Sequence, residues 1–276
     1  MSETSDFAPN WKRKFITIYA GQAFSVLSSS AAQFSILWWI TVTTGSAWDL
    51  SMASLAGFLP PAIIGPFAGV WVDRFSRKRV MILADGFVAL VSLGLAIVFV
   101  FFPVPPMWVI YLALFLRAVG GVFHSPALQA AIPMLVPDDY LEKAGGWGQL
   151  VQSASLMAGP VLGAAVMAMM SLSGVMLVDV LGAAIAIMAL SGVKLPVLPA
   201  SEEKTHVLRD MGVGIHAIRE NRPLMAITLP VLLSSMAFIP LSSYYPLMVA
   251  EHFGGTAWHS SAIELVFGAG LALSSL

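Results

Sequence analysis

The sequence contains no cysteine, which excludes disulfide frameworks, thiolate metal sites and cysteine nucleophiles. It is nearly as poor in charge, with 11% of its 276 residues charged against 58% hydrophobic, a balance far from that of a soluble domain. Other things are missing too. There is no HExxH, no nucleophile elbow and no cluster of His with acids, and His124 stands alone among apolar neighbours, so no enzyme, metal site or cofactor is expected. A channel would need a symmetric selectivity ring that this asymmetric chain does not suggest. The formal net charge of −1 is uninformative, since in a membrane protein the placement of charge matters more than its sum; no nucleic acid is expected as a partner. What remains is a chain that lives in lipid.

What the chain does have is long apolar runs. Read with a window of about 20 residues, the helical length that crosses a hydrocarbon core of about 30 Å, it gives segments at about 15–43, 49–72, 80–102, 107–130, 147–170, 174–193, 224–250 and an eighth from about 260. They are too continuously apolar for alternating barrel strands, and open backbone cannot stay unpaired in lipid, so each is read as a helix. The expected class is an all-α membrane protein. The start, "MSETSDFAPN", carries no signal-peptide charge, so helix 1 reads as an anchor that stays. The eighth segment reaches the end of the chain without the charged flank that closes the others, and the chain reads as a fragment.

The few charges are sorted by side. With the amino terminus in the cytoplasm, the inner segments hold Lys12, Arg13, Lys14, Arg74, Arg77, Lys78, Arg79, Lys143, Lys194, Lys204, Arg209, Arg219 and Arg222, which is every Lys and Arg except Arg117. The loops "TTGSAW", "PVPP", "SLSG" and "EHFGGTAWH" then lie outside and hold none, as the positive-inside rule requires. The octapeptide "TGSAWDLS" (Thr44 to Ser51) before helix 2 returns as "GGTAWHSS" (Gly254 to Ser261) before helix 8, a parallel repeat with a period of about 210 residues. The expected organisation is an amino-terminal six-helix half over 1–193, a charged cytoplasmic linker over 194–223, and the start of a second half, helix 7 and an incomplete helix 8, over 224–276.

"GVWVDRFSRKRV" between helices 2 and 3, "RAVGGVFHSP" (Arg117 to Pro126) in helix 4 and "SLMAGPVLGA" (Ser155 to Ala164) in helix 5 together resemble the signatures of the major facilitator superfamily of transporters. Within it the chain is most similar to the macrolide-efflux-like and siderophore-exporter-like branch, which "TTGSA" and "LPPAIIGPFAG" also resemble. Ser76 stands where the general loop signature has glycine, and Ser155 and Ala164 replace glycines of the fullest antiporter signature. The resemblance implies a fragment of a twelve-helix chain with a substrate cavity between two halves. It also implies that the loop around Gly69, Asp73, Arg74, Arg77, Lys78 and Arg79 is a gate, with Asp73 helping to latch the halves on the cytoplasmic side. The basic residues alone would hold this loop in the cytoplasm, and Asp73 could also pair locally with Arg77, four residues on.

Each ionisable group within a helix costs at least about 2.5–3.5 kcal/mol at the membrane centre, so three stand out as coupling candidates. Arg117 falls near the middle of helix 4, where it is either a coupling group or a structural cation satisfied by carbonyls or an acid. Asp85 lies close enough to the helix 2–3 loop to join its ion pairs, and Asp179 lies near the outer start of helix 6. Either could instead be a packing group or a favourable charge at a helix amino end. Asp49 and Glu264 sit at or near outer helix starts, where capping is expected. Gln22, Ser25, Ser29 and Gln33 fall within about 80° of one another on helix 1, lining either a watery cavity or a packed interface. The cavity is preferred because the resemblance places helices 1, 4 and 7 around it, and Ser235, Ser242 and Tyr245 on helix 7 would join them. Gly159, Pro160 and Gly163 form a small-residue surface on helix 5 for close helix packing.

The expected function is a secondary active transporter of the plasma (inner) membrane. It would export a small amphipathic molecule, of drug, macrolide or siderophore type, in exchange for protons by alternating access. A non-transporting scaffold or receptor of the same fold, and an importer of small metabolites, remain as alternatives.

Overall fold

The structure, a computed structural model, describes residues 10–193, 216 and 219–274; the side chains of 70, 73, 232, 235–240 and 271–274 are outside that description. Eight long α-helices run through the described residues: α1 (Trp11–Thr44), α2 (Ala47–Arg74), α3 (Arg77–Phe101), α4 (Met107–Leu135), α5 (Leu141–Met169), α6 (Leu172–Ser191), α7 (Arg222–Leu247) and α8 (Ala257–Ser274). A 3₁₀ turn, Asp138–Tyr140, leads into α5, and a π turn, Met248–His252, extends α7. Helices α1, α2, α3, α5 and α7 outrun their apolar segments at the charged end, because Lys and Arg are good helix formers that end the hydrophobic run without ending the helix, whereas α6 stops at Ser191, short of its segment's limit. Thus α5 starts at Leu141 and α7 at Arg222, inside the stretch expected to be linker.

The helix ends follow local chemistry. The Ser46 side chain accepts the Asp49 amide at 3.3 Å and opens α2, and Asn221 does the same for Leu224 at 3.2 Å, with Pro223 in the first turn of α7. Asp49 is therefore a first-turn residue and not the cap; its carboxylate accepts the Tyr111 hydroxyl at 2.5 Å. The two repeated octapeptides occupy equivalent turns, α1–α2 and α7–α8, and each turn contains a left-handed glycine, Gly45 at φ 55° and Gly254 at φ 59°. A side chain would be strained at either φ.

Consecutive helices run up and down, which two apolar clusters make visible. One joins Phe15 of α1, Val72 of α2, Met81 of α3, Leu135 of α4, Ala144 of α5 and Leu190 of α6, all at the end of the bundle where the Lys and Arg residues lie. The other joins Ile40, Leu50, Leu95, Ile110, Val175 and Met176 at the opposite end. Between these layers α1 is held against α5 and α6, α3 against α4 and α6, and α2 against α4.

Small residues set those distances. A methyl group built on Gly159 would lie 2.5 Å from Ser30 Cβ, and on Gly163 2.7 Å from the Ala31 carbonyl oxygen, so α5 rides directly on the α1 backbone. Gly182 of α6 meets Ser28 of α1 equally closely. Gly159, Pro160 and Gly163 are all buried, the two glycines on the face of α5 that meets α1. The outward faces are apolar: Leu83, Leu90 and Val100 of α3, and Leu181 and Met188 of α6, are exposed. Six described helices are long and apolar enough to cross a membrane.

Candidate functional site

Between the two apolar layers lies a cluster of polar side chains from four helices. Arg117 of α4 is paired with Asp179 of α6, and the two residues are 6% and 1% exposed. The Asp179 oxygen that Arg117 holds also accepts the Ser92 hydroxyl of α3 at 2.6 Å, and Arg117 itself donates to the same hydroxyl. The other oxygen accepts Ser29 of α1 at 2.7 Å and, more distantly, Ser28 at 3.5 Å. The second terminal nitrogen of Arg117 donates to the Ser29 carbonyl at 3.3 Å. The two terminal nitrogens of Arg117 are thus held by an acid, a hydroxyl and a carbonyl, while its Nε is buried without a hydrogen-bond partner; the paired carboxylate is what makes the buried charge tolerable.

Toward the basic end sits a second carboxylate. Asp85 of α3 accepts Gln22 Nε2 on one oxygen and Ser25 Oγ on the other, both at 3.2 Å. His124 Nε2 stands 3.4 Å from Asp85 and 2.7 Å from Gln22 Oε1. Asp85 is 5% exposed. It does not join the ion pairs of the helix 2–3 loop, as its closeness in sequence suggests; its side chain turns inward to α1 and α4. His124 is not alone either, because α3 brings it an acid that sequence proximity cannot show.

The helix 1 stripe divides. Gln22, Ser25 and Ser29 are committed to these two carboxylates, so they belong to a packed interface and not to an open cavity, whereas Gln33 is half-buried. Ser242 and Tyr245 lie elsewhere, with Phe34, Leu37, Trp38, Pro246 and Glu264 around a small cavity of about 20 Å³ between α1, α7 and α8. Glu264 is well inside α8 and receives the Tyr245 hydroxyl, so it is no cap. The Ser235 and Asp73 side chains are outside the described residues. In the loop itself, Lys78 donates to the Ser191 and Val193 carbonyls at 3.1 and 2.6 Å, closing the carboxyl end of α6. Arg74 and Arg79 are exposed and Arg77 is half-buried, while nothing stands within 4 Å of a methyl group built on Gly69.

Ser92 and His124 are absent from the sequence-derived candidates, although helical spacing points to both. Ser92 is two turns from Asp85 on α3, and His124 is two turns from Arg117 on α4, so each shares a face with a candidate. Among the described residues no group of three His, Cys, Asp or Glu comes together to hold a metal.

α1 also meets α7 and α8 at the end of the bundle away from the Lys and Arg residues. There Ser51 and Tyr244 share a hydrogen bond of 2.6 Å, and Ser54 donates to Ser243 at 2.8 Å, joining α2 to α7. Phe34, Trp38, Ala164 and Val249 pack together beside them. The family model described as Major Facilitator Superfamily matches residues 18–276.

The chain belongs to the Major Facilitator Superfamily. Within the superfamily it is 39% identical over 269 residues to Macrolide efflux protein A of Streptococcus pyogenes, covering 97% of this chain and 66% of that protein. It is 38% identical over 234 residues to Macrolide efflux protein A of Enterococcus faecalis, covering 84% of this chain and 72% of that one. Among solved structures it is similar to a bacterial homolog of the human lysosomal transporter Spinster in an inward-facing, unoccupied conformation, with a TM-score of 0.66 and 14% identity over 96% of this chain and 60% of that one. This last likeness concerns the superfamily fold alone. Membership and the six spanning helices make the chain part of an integral membrane protein.

Proposed function

We propose that this protein is a secondary transporter of the plasma membrane that exports small amphipathic molecules, of macrolide, drug or siderophore type, in exchange for protons by alternating access. One observation carries the coupling: a chain of a transporter superfamily buries Asp85, Asp179 and Arg117 between two apolar layers, with the part-buried His124 beside Asp85. Charge in the membrane interior is costly and marks ion pathways and relays. The export direction and substrate class rest on the two relatives named for macrolide efflux.

In this reading residues 1–193 form the first half, 194–223 the cytoplasmic linker, and 224 onward the start of the second half. The amino terminus is cytoplasmic, on the side of the basic residues. The contacts Ser51–Tyr244 and Ser54–Ser243 close the outer side. The loop from Gly69 to Arg79, with Asp73, Arg74, Arg77, Lys78 and Arg79, gates the inner one. The cavity is lined by Gln33, Ser235, Ser242 and Tyr245, with apolar walls from α1 and α7. Partners are the bilayer, the substrate and protons.

The test is efflux of a panel of macrolides and other amphipathic compounds from vesicles containing the full-length protein under an imposed pH gradient. Gradient-dependent export supports the reading. Uptake in the opposite sense would make the protein an importer, and a lack of any response to the gradient would make it a scaffold or receptor.

A further inference from the structure

The cluster contains two carboxylates, and their surroundings are unlike. Asp179 is saturated: each oxygen accepts a serine hydroxyl at normal distance, and one of them also holds Arg117. Adding a proton there would displace a short hydrogen bond and strand a guanidinium that cannot give up its own charge. Asp85 has weaker company. Its donors Gln22 and Ser25 are neutral and stand at 3.2 Å, and the third group facing it, His124 at 3.4 Å, is itself titratable.

The imidazole geometry shows where a proton would go. Gln22 Nε2 is turned to Asp85, so Gln22 presents its carbonyl oxygen to His124 Nε2 at 2.7 Å. A carbonyl only accepts, so Nε2 carries the hydrogen and the lone pair of the neutral ring is on Nδ1. The His124 side chain is 14% exposed and that of Asp85 6%, which makes the ring the more accessible end of the pair.

The charge count points the same way. Arg117 and Asp179 cancel, so with a neutral His124 the cluster carries the uncompensated charge of Asp85. One added proton makes it neutral, and net charge in a low-dielectric interior is what the cluster must avoid. The ionisable groups facing the pair are few. Asp179 comes from α6 and Arg117 from α4. α1 offers the neutral Gln22 and Ser25, while its Tyr19 hydroxyl turns to Gly148 of α5. On α2, Asp49 is held by Tyr111 at the far end, Arg74 is at the basic end, and the Asp73 side chain is outside the described residues. Glu142 and Lys143 lie in the first turn of α5, also at the basic end.

We propose that His124 and Asp85 form the exchangeable proton site of this transporter, and that Arg117–Asp179 is a fixed ion pair that holds the site together. This rests on the proton-coupled reading above and assigns the coupling within it. A proton from water binds His124 Nδ1, the Nε2 hydrogen stays between Gln22 and Asp85, and the resulting imidazolium–carboxylate pair draws α4 to α3. Loss of the proton leaves Gln22 of α1 as the bridge between the two. Because α1 also borders the cavity with Ser242 and Tyr245, the change is passed to the helix that meets the second half.

The experiment uses the full-length protein in lipid vesicles with two readouts. Infrared difference titration without substrate follows carboxylate and imidazole bands, and transport is measured both as gradient-driven export and as substrate exchange without a gradient. In the wild type a carboxylate and an imidazole should titrate together. D85N and H124Q should each abolish that joint titration and lower gradient-driven export about a hundredfold, the usual effect of losing a positioned proton carrier, while exchange survives. D85E should restore the titration, which guards against a variant that fails only because it is poorly folded. Persistence of the joint titration in D85N and H124Q, or unchanged gradient-driven export, overturns the assignment and moves the coupling to Asp179. If the wild type shows the titration but no gradient-driven flux, the pair binds a proton and it is the transport reading that fails.

Discussion

Arg117 and Asp179 are brought together from α4 and α6 by Ser92 of α3 and Ser29 of α1, so one ion pair ties four helices at mid-bundle. Removing one partner leaves the other charged and buried, which costs about 3–5 kcal/mol. R117A and D179N should therefore each lower the melting temperature in detergent markedly. R117M/D179L, which removes both charges, should be more stable than either single variant. R117K keeps the charge but loses the planar fork that reaches Asp179, Ser92 and the Ser29 carbonyl together, so it should fold with intermediate stability and transport poorly. Single variants as stable as the wild type would show that the pair does not hold the helices.

Close approach of α5 to α1 makes a sharper steric test. In G163A the new methyl group would lie 2.7 Å from the Ala31 carbonyl oxygen, a backbone atom that cannot turn away. The variant should lose about 1–3 kcal/mol, as overpacked cores do. G94A on α3 has nothing within 4 Å of the added carbon and should be neutral or slightly stabilised, since Ala is the better helix former. Equal melting temperatures for the two would place α5 further from α1.

Lys78 closes the end of α6 by binding the carbonyl of its last residue, Ser191, and that of Val193 just beyond it. K78M should weaken the structure by about 1 kcal/mol, with faster amide exchange confined to the last turn of α6. K78R should recover most of it. Exchange that rises across the whole bundle, or nowhere, would count against a local cap.

Because the chain has no cysteine, single cysteines report topology without background. V104C and S171C, in the loops free of Lys and Arg, should react with an impermeant maleimide from outside intact cells, and S76C should react only after permeabilisation. Reversed labelling would invert the assignment of inner and outer faces.

The same background permits a cross-link between α2 and α7. Ser54 and Ser243 hydroxyls are 2.8 Å apart, so S54C/S243C should oxidise readily and join fragments of a protein cleaved in its linker. If the outer side must open during transport, oxidation should stop flux and reduction restore it. Flux that continues through the oxidised form would show that this contact need not break.

The helices, their number among the described residues and the segregation of basic residues to one end are legible in the sequence because they rest on local quantities: run length, helix-end chemistry and the cost of charge in lipid. Arg117, Asp85 and Asp179 stand out for the same reason, as rare charges within apolar runs. The glycine surface of α5 is visible as spacing alone. The reading of Gln22, Ser25 and Ser29 as cavity lining went astray because a polar stripe looks the same whether it faces water or a neighbouring helix. Only the position of the next helix separates the two. Glu264 and Asp49 were expected at caps because sequence places them near helix starts, yet each found a tyrosine on another helix.

By itself, then, the sequence determined that this protein is a helical membrane bundle of the major facilitator type, and which few residues carry charge inside it. Tertiary structure alone decided who meets whom. It set His124 beside Asp85 across α3 and α4, joined Arg117 to Asp179 across α4 and α6, and delivered four α1 side chains, Gln22, Ser25, Ser28 and Ser29, to those two acids. The physical reason is that a buried charge must find its partner in space, and the partners here lie on helices that pack closely at Gly21 (α1 on α6), Gly120 (α4 on α3) and Gly182 (α6 on α1), an arrangement that no local signal along the chain gives.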